Sequence, residues 1–281
     1  MKLVHTIAEI RTLSRSARTA GQTLGLVPTM GALHEGHLSL VRTAKAKADV
    51  VAATIFVNPT QFGPQEDFAR YPRNLEADCA VLEREGVDYI FAPSTEEMYP
   101  SGSVTWVTVE GLSDRLCGKS RPGHFRGVTT VVSKLFHIVE PDIAFFGQKD
   151  AAQHAIIRRM VRDLNMAVHI EICPIVREPD GLAMSSRNAY LTAAERKSAL
   201  VLHRSLMRVE NLFRSGEQDS DKLIQAGRIE IASEPAVRLD YFEIVNPDTL
   251  EPTPKVSTPA LVAVAAFVGK TRLIDNVVLG A

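Results

Sequence analysis

Cysteine is scarce in this chain. Three cysteines, Cys79, Cys117 and Cys173, lie far apart among 281 residues, and no CxxC pair occurs. An odd number of widely spaced thiols argues against a disulfide framework and against a cysteine-rich zinc site. We therefore expect reduced thiols, as in a cytoplasmic protein.

The chain also lacks a long apolar segment. Its longest apolar run, residues 260–268, is far shorter than the ~20 residues that a membrane-spanning helix needs. Residues 1–18 contain no apolar stretch of the kind found in signal peptides. These two absences predict a cytoplasmic protein with no membrane partner.

An excess of charge of either sign is missing too. Lys and Arg together number 32 and Asp and Glu number 33, which gives a net charge of −1. This balance supplies no general attraction to nucleic acid or to an anionic membrane, although a local basic pocket is compatible with it. The hydrophobic content of 45% is typical of a folded protein, and at ~150 residues per domain the length corresponds to about two domains.

Several common catalytic motifs are absent. No GxGxxG and no GxSxG occurs, which argues against a dinucleotide fingerprint and a nucleophile elbow. His34 and His37 are three residues apart, whereas a zinc-protease HExxH motif places its histidines four apart. The segment 269–271 (GKT) resembles the end of a P-loop, but Val264 stands where the first glycine is required.

Apolar strands alternate with helical segments through the first part of the chain. LGLVPT at 24–29 and DVVAATIFV at 49–57 are apolar runs typical of strands covered on both faces. The pattern predicts an α/β fold with a Rossmann-like doubly wound parallel sheet, in which ligands bind at the carboxyl ends of the strands. Further strands are predicted at 87–92, 142–146 and 168–173, and helices at 37–48, 74–85, 128–138 and 151–164.

The pattern changes in the last third of the chain. A long amphipathic helix is predicted over 192–215, with Thr192 and Glu195 as a capping box. Residues 1–174 are therefore predicted to form the Rossmann-like domain, and residues 175–281 a smaller α+β domain. A second helix is predicted at 218–233 and strands at 238–245, 260–268 and 273–278.

The segment PTMGALHEGH at 28–37 joins the first predicted strand to the first predicted helix. Free backbone N–H groups and the helix dipole favour a phosphate at such a point. Gly31 and Gly36 permit close approach of the backbone, and His34 and His37 can donate hydrogen bonds to phosphate oxygens. The alternative is a glycine turn with solvated histidines.

A second segment, DGLAMSSRN at 180–188, offers two hydroxyls and a guanidinium in sequence. Such a loop can close over a polyphosphate and neutralise it. Together with the HEGH segment it resembles the HIGH and KMSKS signatures of the nucleotidylyl transferase superfamily, which cleaves ATP between its α- and β-phosphates. The lysines of KMSKS are missing, so Arg187 would have to supply the positive charge.

A third segment, FGQKDAAQ at 146–153, follows a predicted strand and begins a helix. Lys149 would point at phosphate, Asp150 or the backbone at Gly147 would hold a ribose, and Gln153 lies one turn further on. The alternative is a strand-to-helix turn in which Asp150 caps the helix.

A fourth segment, FVNPTQFGP at 56–64, also follows a predicted strand. Asn58 and Gln61 carry neutral amides that both donate and accept hydrogen bonds, beside the apolar Phe62. That combination suits a small hydroxylated acid. The alternative is a structural loop bracketed by prolines.

Together these segments resemble the pantothenate synthetase family. The resemblance runs in order through most of residues 1–195, and the C-terminal region is assigned by length and position only. The matching stretches are PTMGALHEGHLSLV (28–41), FVNPTQFGPQEDFARYPR (56–73), RPGHFRGVTTVVSKLFHIVEPDIAFFGQKDAAQ (121–153) and PIVREPDGLAMSSRNAYL (174–191).

The resemblance implies a ligase that uses ATP to join (R)-pantoate to β-alanine. Pantoyl adenylate is the intermediate, and AMP and pyrophosphate are released. The resemblance also implies Mg²⁺ bound with ATP, a homodimer, and a C-terminal domain that caps the site. The protein ligand of Mg²⁺ is not evident, and Asp78 is a candidate. Since an acyl adenylate must be kept from water, the loop 185–187 or the stretch 59–72 is expected to act as a lid.

Residue roles follow from the resemblance in the same way. It implies catalytic roles for His34, His37 and Lys149. It implies binding of pantoate and β-alanine by Asn58, Gln61 and Gln153. It implies ATP contacts from Met30, Gly31, Ala32, Leu33, His34, Glu35, Gly36, His37, Gly147, Gln148, Lys149, Asp150, Val176, Met184, Ser185, Ser186 and Arg187.

Three other functions are considered beside this one. A transferase of the same superfamily that passes AMP to a phosphorylated molecule would share the HEGH segment (34–37) and the SSR loop (185–187). For the second phosphate, only Arg70 and Arg73 would be available. An aminoacyl-tRNA synthetase is disfavoured because the chain has no anticodon-binding domain and no basic surface. A nucleotide-binding sensor would bind ATP and form no AMP.

Overall fold

A six-stranded parallel sheet forms the larger part of the protein in the computed structural model, which describes residues 1–256 and 259–280. The strand order is β1-β4-β3-β2-β5-β6, and every neighbouring pair is parallel. The predicted doubly wound sheet is confirmed, and β1 is an additional edge strand. The strands are β1 Lys2–Val4, β2 Leu24–Thr29, β3 Val50–Ile55, β4 Tyr89–Phe91, β5 Ile143–Gly147 and β6 His169–Cys173.

Helices cover both faces of this sheet. Alternate residues of β3 belong to different cores: Val50 and Ala52 pack with α1, α6 and α7, whereas Val51 and Ala53 pack with α2 and α3. Burial on both faces explains why the strands are apolar without interruption. The helices are α1 Ile7–Thr19, α2 Glu35–Lys47, α3 Leu75–Arg84, α4 Thr95–Met98, α5 Cys117–Ser120, α6 His124–Val139, α7 Ala151–Asp163, α8 Ala193–Ala199, α9 Val201–Arg214 and α10 Ser220–Ala232.

The chain reverses its winding direction at the centre of the sheet. From β2 it proceeds to β3 and β4 on one side, whereas β5 and β6 lie on the other side. Ligands of open α/β sheets bind at such a switch point, outside the carboxyl ends of the strands. The carboxyl ends of β2 and β5 carry the segments 30–37 and 147–150.

The last third of the chain contains a three-stranded antiparallel sheet with the order β7-β8-β9. One row of β8 side chains, which includes Val262 and Val264, packs with helices α8 to α10. The opposite row, which includes Leu261 and Ala263, packs with the core of the parallel sheet. The strands are β7 Val237–Val245, β8 Ala260–Val268 and β9 Thr271–Leu279. Within the region predicted at 175–281, Ser257, Thr258 and Ala281 lie outside the described residues.

The single long helix predicted over 192–215 is wrong, since two helices meet at Leu200. The Leu200 N–H bonds to the Lys197 carbonyl at 3.3 Å, three residues back, which tightens the turn and ends α8. The predicted capping box is confirmed, because Thr192 and Glu195 bond to each other's backbone N–H groups. None of the described helices is both long and apolar enough to cross a membrane.

Candidate active site

The HEGH segment (34–37) begins α2, and the loop 30–33 connects it to the carboxyl end of β2. Asp78 fixes the backbone of this loop. The two carboxylate oxygens of Asp78 accept hydrogen bonds from the N–H groups of Ala32 and Leu33, each at 2.9 Å. Gly31 has φ +79°, and a Cβ there would lie 2.8 Å from Asp78 Oδ2. A glycine is therefore required next to this carboxylate. Asp78 is buried and does not line the cavity described below, so the structure gives it the role of a support for this loop.

His34 and His37 face each other at the start of α2, with ring centroids 4.1 Å apart. His34 Nδ1 accepts from the Gly36 N–H at 3.2 Å, and His37 Nδ1 accepts from the His34 N–H at 3.3 Å. An imidazole whose Nδ1 accepts a hydrogen bond carries its proton on Nε2 when it is neutral. Both rings can therefore donate from Nε2.

Both histidines are neutral at pH 7. Burial, followed by the charge of Lys149, lowers the pKa of His34 to about 4. Burial, followed by the neighbouring His34 and by Lys149, lowers the pKa of His37 to about 3. Neutral histidines leave Lys149 as the cation of this part of the site, and they are poor proton acceptors.

Lys149 lies in the turn that connects β5 to α7, on the other side of the switch point. A single cavity of about 240 Å³ connects this turn to the HEGH segment. Asp150 and Gln153 also line the cavity. The predicted site residues that line it are Met30, His34, Gly36, His37, Asn58, Gln61, Gly147, Lys149, Asp150, Gln153, Val176, Met184, Ser185, Ser186 and Arg187.

Among the described residues, five predicted ATP contacts do not line this cavity. Glu35 is half-exposed and forms an ion pair with Arg42. Gln148 is directed away from the cavity, because its amide bonds to Asn276 and His154. The other three are Gly31, Ala32 and Leu33, which form the loop that Asp78 holds.

The amide of Asn58 is used entirely within the protein. Its Nδ2 donates to Gln61 Oε1 at 3.0 Å and to the Gly127 carbonyl at 3.1 Å. Its Oδ1 accepts from the Tyr99 hydroxyl and from Thr60. Asn58 is only 1% exposed. The structure therefore gives Asn58 the position of a residue that orients Gln61.

The SSR loop is attached to the stretch 59–72. Arg187 donates to the two carboxylate oxygens of Asp67, both at 2.9 Å. The hydroxyls of Tyr71 and Ser186 lie 3.3 Å apart. A backbone bond from Met184 to the Val176 carbonyl closes the hairpin that carries this loop. The two predicted lid segments are thus in contact with each other, and Arg187 is paired with Asp67.

Among the residues of the cavity wall that sequence reasoning missed, two are basic: Arg121 and His124. Arg121 forms an ion pair of 2.6 Å with Glu66, and His124 Nδ1 donates to the Gln61 carbonyl at 2.8 Å. Both belong to the RPGH segment at the start of α6, which follows no predicted strand. Of the arginines considered for a second phosphate, Arg73 donates to backbone carbonyls and Arg70 lies in an outer groove.

Comparison with known proteins identifies the family. The family model described as pantoate–β-alanine ligase matches residues 2–278. The chain belongs to the pantoate–β-alanine ligase family. The pantothenate synthetase of Koribacter versatilis is 61% identical over 281 residues, which is 100% of this chain and 97% of that protein.

Solved structures agree with this membership of the pantoate–β-alanine ligase family. The pantothenate synthetase of Thermus thermophilus has a TM-score of 0.94 and 46% identity, and the match covers 99% of each chain. The pantoate–β-alanine ligase of Francisella tularensis, in complex with β-γ ATP and β-alanine, has a TM-score of 0.80 and 34% identity over 99% of this chain and 97% of that one.

Proposed function

We propose that this chain condenses (R)-pantoate with β-alanine to give pantothenate, through a pantoyl adenylate and with release of AMP and pyrophosphate. The observation that carries this proposal is the cavity at the switch point of the sheet. Its wall presents imidazoles and an ammonium group, from His34, His37 and Lys149. It also presents the amides of Gln61 and Gln153.

The first step joins pantoate to the nucleotide. A carboxylate oxygen of pantoate forms a bond to the α-phosphorus of ATP, and the bond from that phosphorus to the pyrophosphate oxygen breaks. Negative charge increases on the phosphoryl oxygens during this step. The Nε2–H groups of His34 and His37 and the Lys149 ammonium stabilise that charge. Because the nucleophile is the substrate's own carboxylate, no activated serine or cysteine is needed.

The second step transfers the pantoyl group. The amine of β-alanine attacks the acyl carbon, the amide bond forms, AMP leaves with the carboxyl oxygen, and a proton passes from the nitrogen to water. Gln61 and Gln153 hold the pantoyl hydroxyls and carbonyl in place, and Asn58 keeps Gln61 in its orientation. Catalysis then rests on positioning and exclusion of water rather than on a protein base.

ATP is held between the two strand-to-helix turns and the SSR loop. Met30, Gly36 and Gly147 border the nucleotide, Val176 faces the adenine, and Asp150 faces the ribose. Ser185, Ser186 and Arg187 close on the β- and γ-phosphates. Glu35 and Gln148, with the loop 31–33, shape this site without lining it.

Mg²⁺ is compatible with the residues of the cavity. Within the described residues, no three His, Cys, Asp or Glu side chains are arranged to hold a metal ion. Magnesium in nucleotide sites takes most of its ligands from phosphate and water, with one or two carboxylates. Asp150 is the carboxylate that lines the cavity. Bound there with ATP, Mg²⁺ would neutralise phosphate charge.

A division of the chain near residue 174 is part of this proposal. Residues 1–174 bind ATP and pantoate, and residues 175–281 cap the site and supply the SSR loop. The loop 185–187 and the stretch 59–72 act together as the lid. The protein works in the cytoplasm, where pantoate, β-alanine and ATP are its partners.

The homodimer forms through the segment 103–109, which belongs to no helix or strand. Val104 is 83% exposed and Trp106 is 44% exposed, whereas Val107 and Val109 pack against the core. Large apolar side chains that are exposed next to each other are typical of a surface that packs against a second copy. Val104→Glu is expected to shift the protein from dimer to monomer in sedimentation velocity.

The proposed function is tested by product formation. With ATP and pantoate the protein should release pyrophosphate, and with β-alanine added it should release AMP in equal amount. His37→Ala and Lys149→Ala should each slow adenylate formation in a single turnover by ~100-fold or more. A near wild-type rate in both variants would reject these roles. Turnover with a phosphorylated acceptor instead of pantoate would identify the related transferase, and ATP binding without AMP formation would identify a sensor.

A further inference from the structure

Asn276, on the last strand of the small sheet, contacts the turn that carries Lys149. Its Nδ2 donates to the carbonyls of Gln148 and Lys149, at 3.0 and 2.9 Å. Its Oδ1 accepts from Gln148 Nε2 at 2.9 Å. A residue of β9 thus bonds to three groups of a turn that precedes it by more than a hundred residues. Asn276 is 3% exposed, so water does not replace these bonds.

The orientation of the Asn276 amide follows from its partners. Carbonyl oxygens only accept hydrogen bonds, so the nitrogen of Asn276 must face the two carbonyls. Gln148 Oε1 in turn lies 3.1 Å from His154 Nε2. Burial, followed by the charge of Arg158, lowers the pKa of His154 to about 4, so this histidine is neutral and donates from Nε2. A directed chain of bonds therefore runs from His154 through Gln148 and Asn276 to the backbone of the turn.

The neighbouring residue of β9 contacts the opposite side of the ATP site. Asp275 accepts two hydrogen bonds from Arg177, at 2.7 and 3.0 Å, and Arg177 also donates to the Gly181 carbonyl. Arg177 lies in the hairpin that carries the SSR loop. Side chains of successive strand residues point to opposite faces of the sheet. Asp275 and Asn276 can therefore contact the SSR hairpin and the Lys149 turn at the same time.

We propose that Asn276 is a positioning residue for adenylate formation and that it acts by fixing the Lys149 turn. Asp275 anchors the hairpin of the SSR loop. This inference rests on the proposed function. The ammonium of Lys149 must be held close to the phosphates before they react, because a displacement of ~1 Å in such a group can cost ~100-fold in rate. The backbone carbonyl of Lys149 is fixed by a bond from Asn276, and a side chain follows its backbone.

The effect should fall on one half-reaction. Asn276→Ala and Asn276→Asp should slow pantoyl adenylate formation at least ~10-fold. Asn276→Asp should be the slower of the two, because its carboxylate would face two carbonyl oxygens. Transfer of the pantoyl group from supplied pantoyl adenylate to β-alanine should stay within about twofold of wild type, since Lys149 acts on phosphates that this step does not cleave.

A double-mutant cycle with Lys149→Ala tests whether Asn276 acts through Lys149. In the Lys149→Ala background, Asn276→Ala should change the rate of adenylate formation by less than about twofold.

Asn246→Ala is the matched control. The side chain of Asn246 also bonds to the backbone of a turn, directly after β7, but this turn lies away from the cavity. This control variant should leave both half-reactions unchanged. If Asn276→Ala does not fold, Gln148→Ala removes the bond from Gln148 Nε2 that orients the Asn276 amide but leaves the two carbonyl bonds in place. It should therefore give a smaller loss that is again confined to adenylate formation.

Equal losses in the two half-reactions, or independent effects of Asn276→Ala and Lys149→Ala, would overturn the inference. Wild-type protein that forms no adenylate from ATP and pantoate would instead reject the proposed function, and this inference with it. Loss confined to adenylate formation, together with coupling to Lys149, would support a positioning role.

Discussion

Arg187 is paired with Asp67 through two hydrogen bonds of 2.9 Å, between residues 120 positions apart in the chain. Burial alone would raise the pKa of the Asp67 carboxyl, but the hydrogen bonds and charge of Arg187 outweigh it, so the pKa lies below its ordinary value. The carboxylate is therefore charged at pH 7 and competes with phosphate for the same guanidinium. Closure on ATP requires Arg187 to exchange one anion for another.

Asp67→Asn should release Arg187 for the phosphates. The conformation in which Arg187 is free to bind phosphate would then be populated more of the time, which lowers the apparent KM for ATP. We expect a decrease of about threefold or more. Steady-state kinetics with ATP as the varied substrate measure it. Glu66→Gln is the matched control, because Glu66 pairs with Arg121 in the same stretch of chain, and its KM for ATP should stay near that of wild type. An increase in KM for Asp67→Asn would mean that Asp67 holds Arg187 in its productive position.

Asp78→Asn tests the support of the loop 31–33, which precedes the HEGH segment. The variant keeps one acceptor oxygen but directs an amide NH₂ at a backbone N–H, so one of the two loop bonds is lost. Leaving that N–H unpaired in a buried place costs about 1–3 kcal/mol. We expect a higher KM for ATP and a lower melting temperature.

Magnesium titration separates this role from that of a metal ligand. If Asp78 supports only the loop, raising the Mg²⁺ concentration should leave the KM for ATP of Asp78→Asn unchanged. Restoration of wild-type kinetics by excess Mg²⁺ would show that Asp78 ligates the metal.

The local parts of the site were predictable from the sequence because they depend on neighbours in the chain. Apolar runs identify β2, β3 and β5, and the residues that follow a buried parallel strand reach the same edge of the sheet. The sequence therefore predicts that His34, His37 and Lys149 lie together, and they line one cavity.

The supports of the site were not predictable, because they come from contacts distant in sequence. Asp78 is an ordinary acidic residue in the first turn of a helix, and nothing local indicates that it bonds to Ala32 and Leu33. Asn276 lies in a strand of a region with few motifs. The pairing of Arg187 with Asp67 requires the SSR loop and a distant loop to approach each other, which hydrophobic periodicity does not specify. Local pattern identified much of the cavity wall, and tertiary structure determines what holds it.

Gly127→Ala should displace the Gln61 amide. A Cβ at Gly127 would lie 2.3 Å from the Thr60 carbonyl oxygen and 2.7 Å from the Gln61 Cα. Both contacts are with backbone, so the turn at 59–61 must move and carry Gln61 with it. We expect a higher KM for pantoate and a loss of about 1–3 kcal/mol in the free energy of unfolding. His137→Ala, at an exposed position of the same helix, should change neither, and an unchanged KM for pantoate in Gly127→Ala would contradict this account.

His124 makes stability depend on pH. Burial, followed by the charge of Arg121, lowers its pKa to about 4 in the folded protein, against about 6.5 in an unfolded chain. Between these values the unfolded chain binds a proton that the folded protein does not, so the free energy of unfolding decreases as pH falls from 6.5 to about 4.

His124→Asn should weaken this pH dependence. Because His124 Nδ1 donates to the Gln61 carbonyl, an asparagine amide can keep that bond and cannot take up a proton. Urea unfolding at several pH values between 4.5 and 7 should show that the free energy of unfolding falls less steeply in the variant. The difference in slope should correspond to about one proton per molecule. The other buried histidines are common to both proteins, so their contributions cancel in the comparison. His137→Asn, a change at an exposed histidine, should keep the wild-type slope, and an equally steep decline in His124→Asn would contradict the assignment.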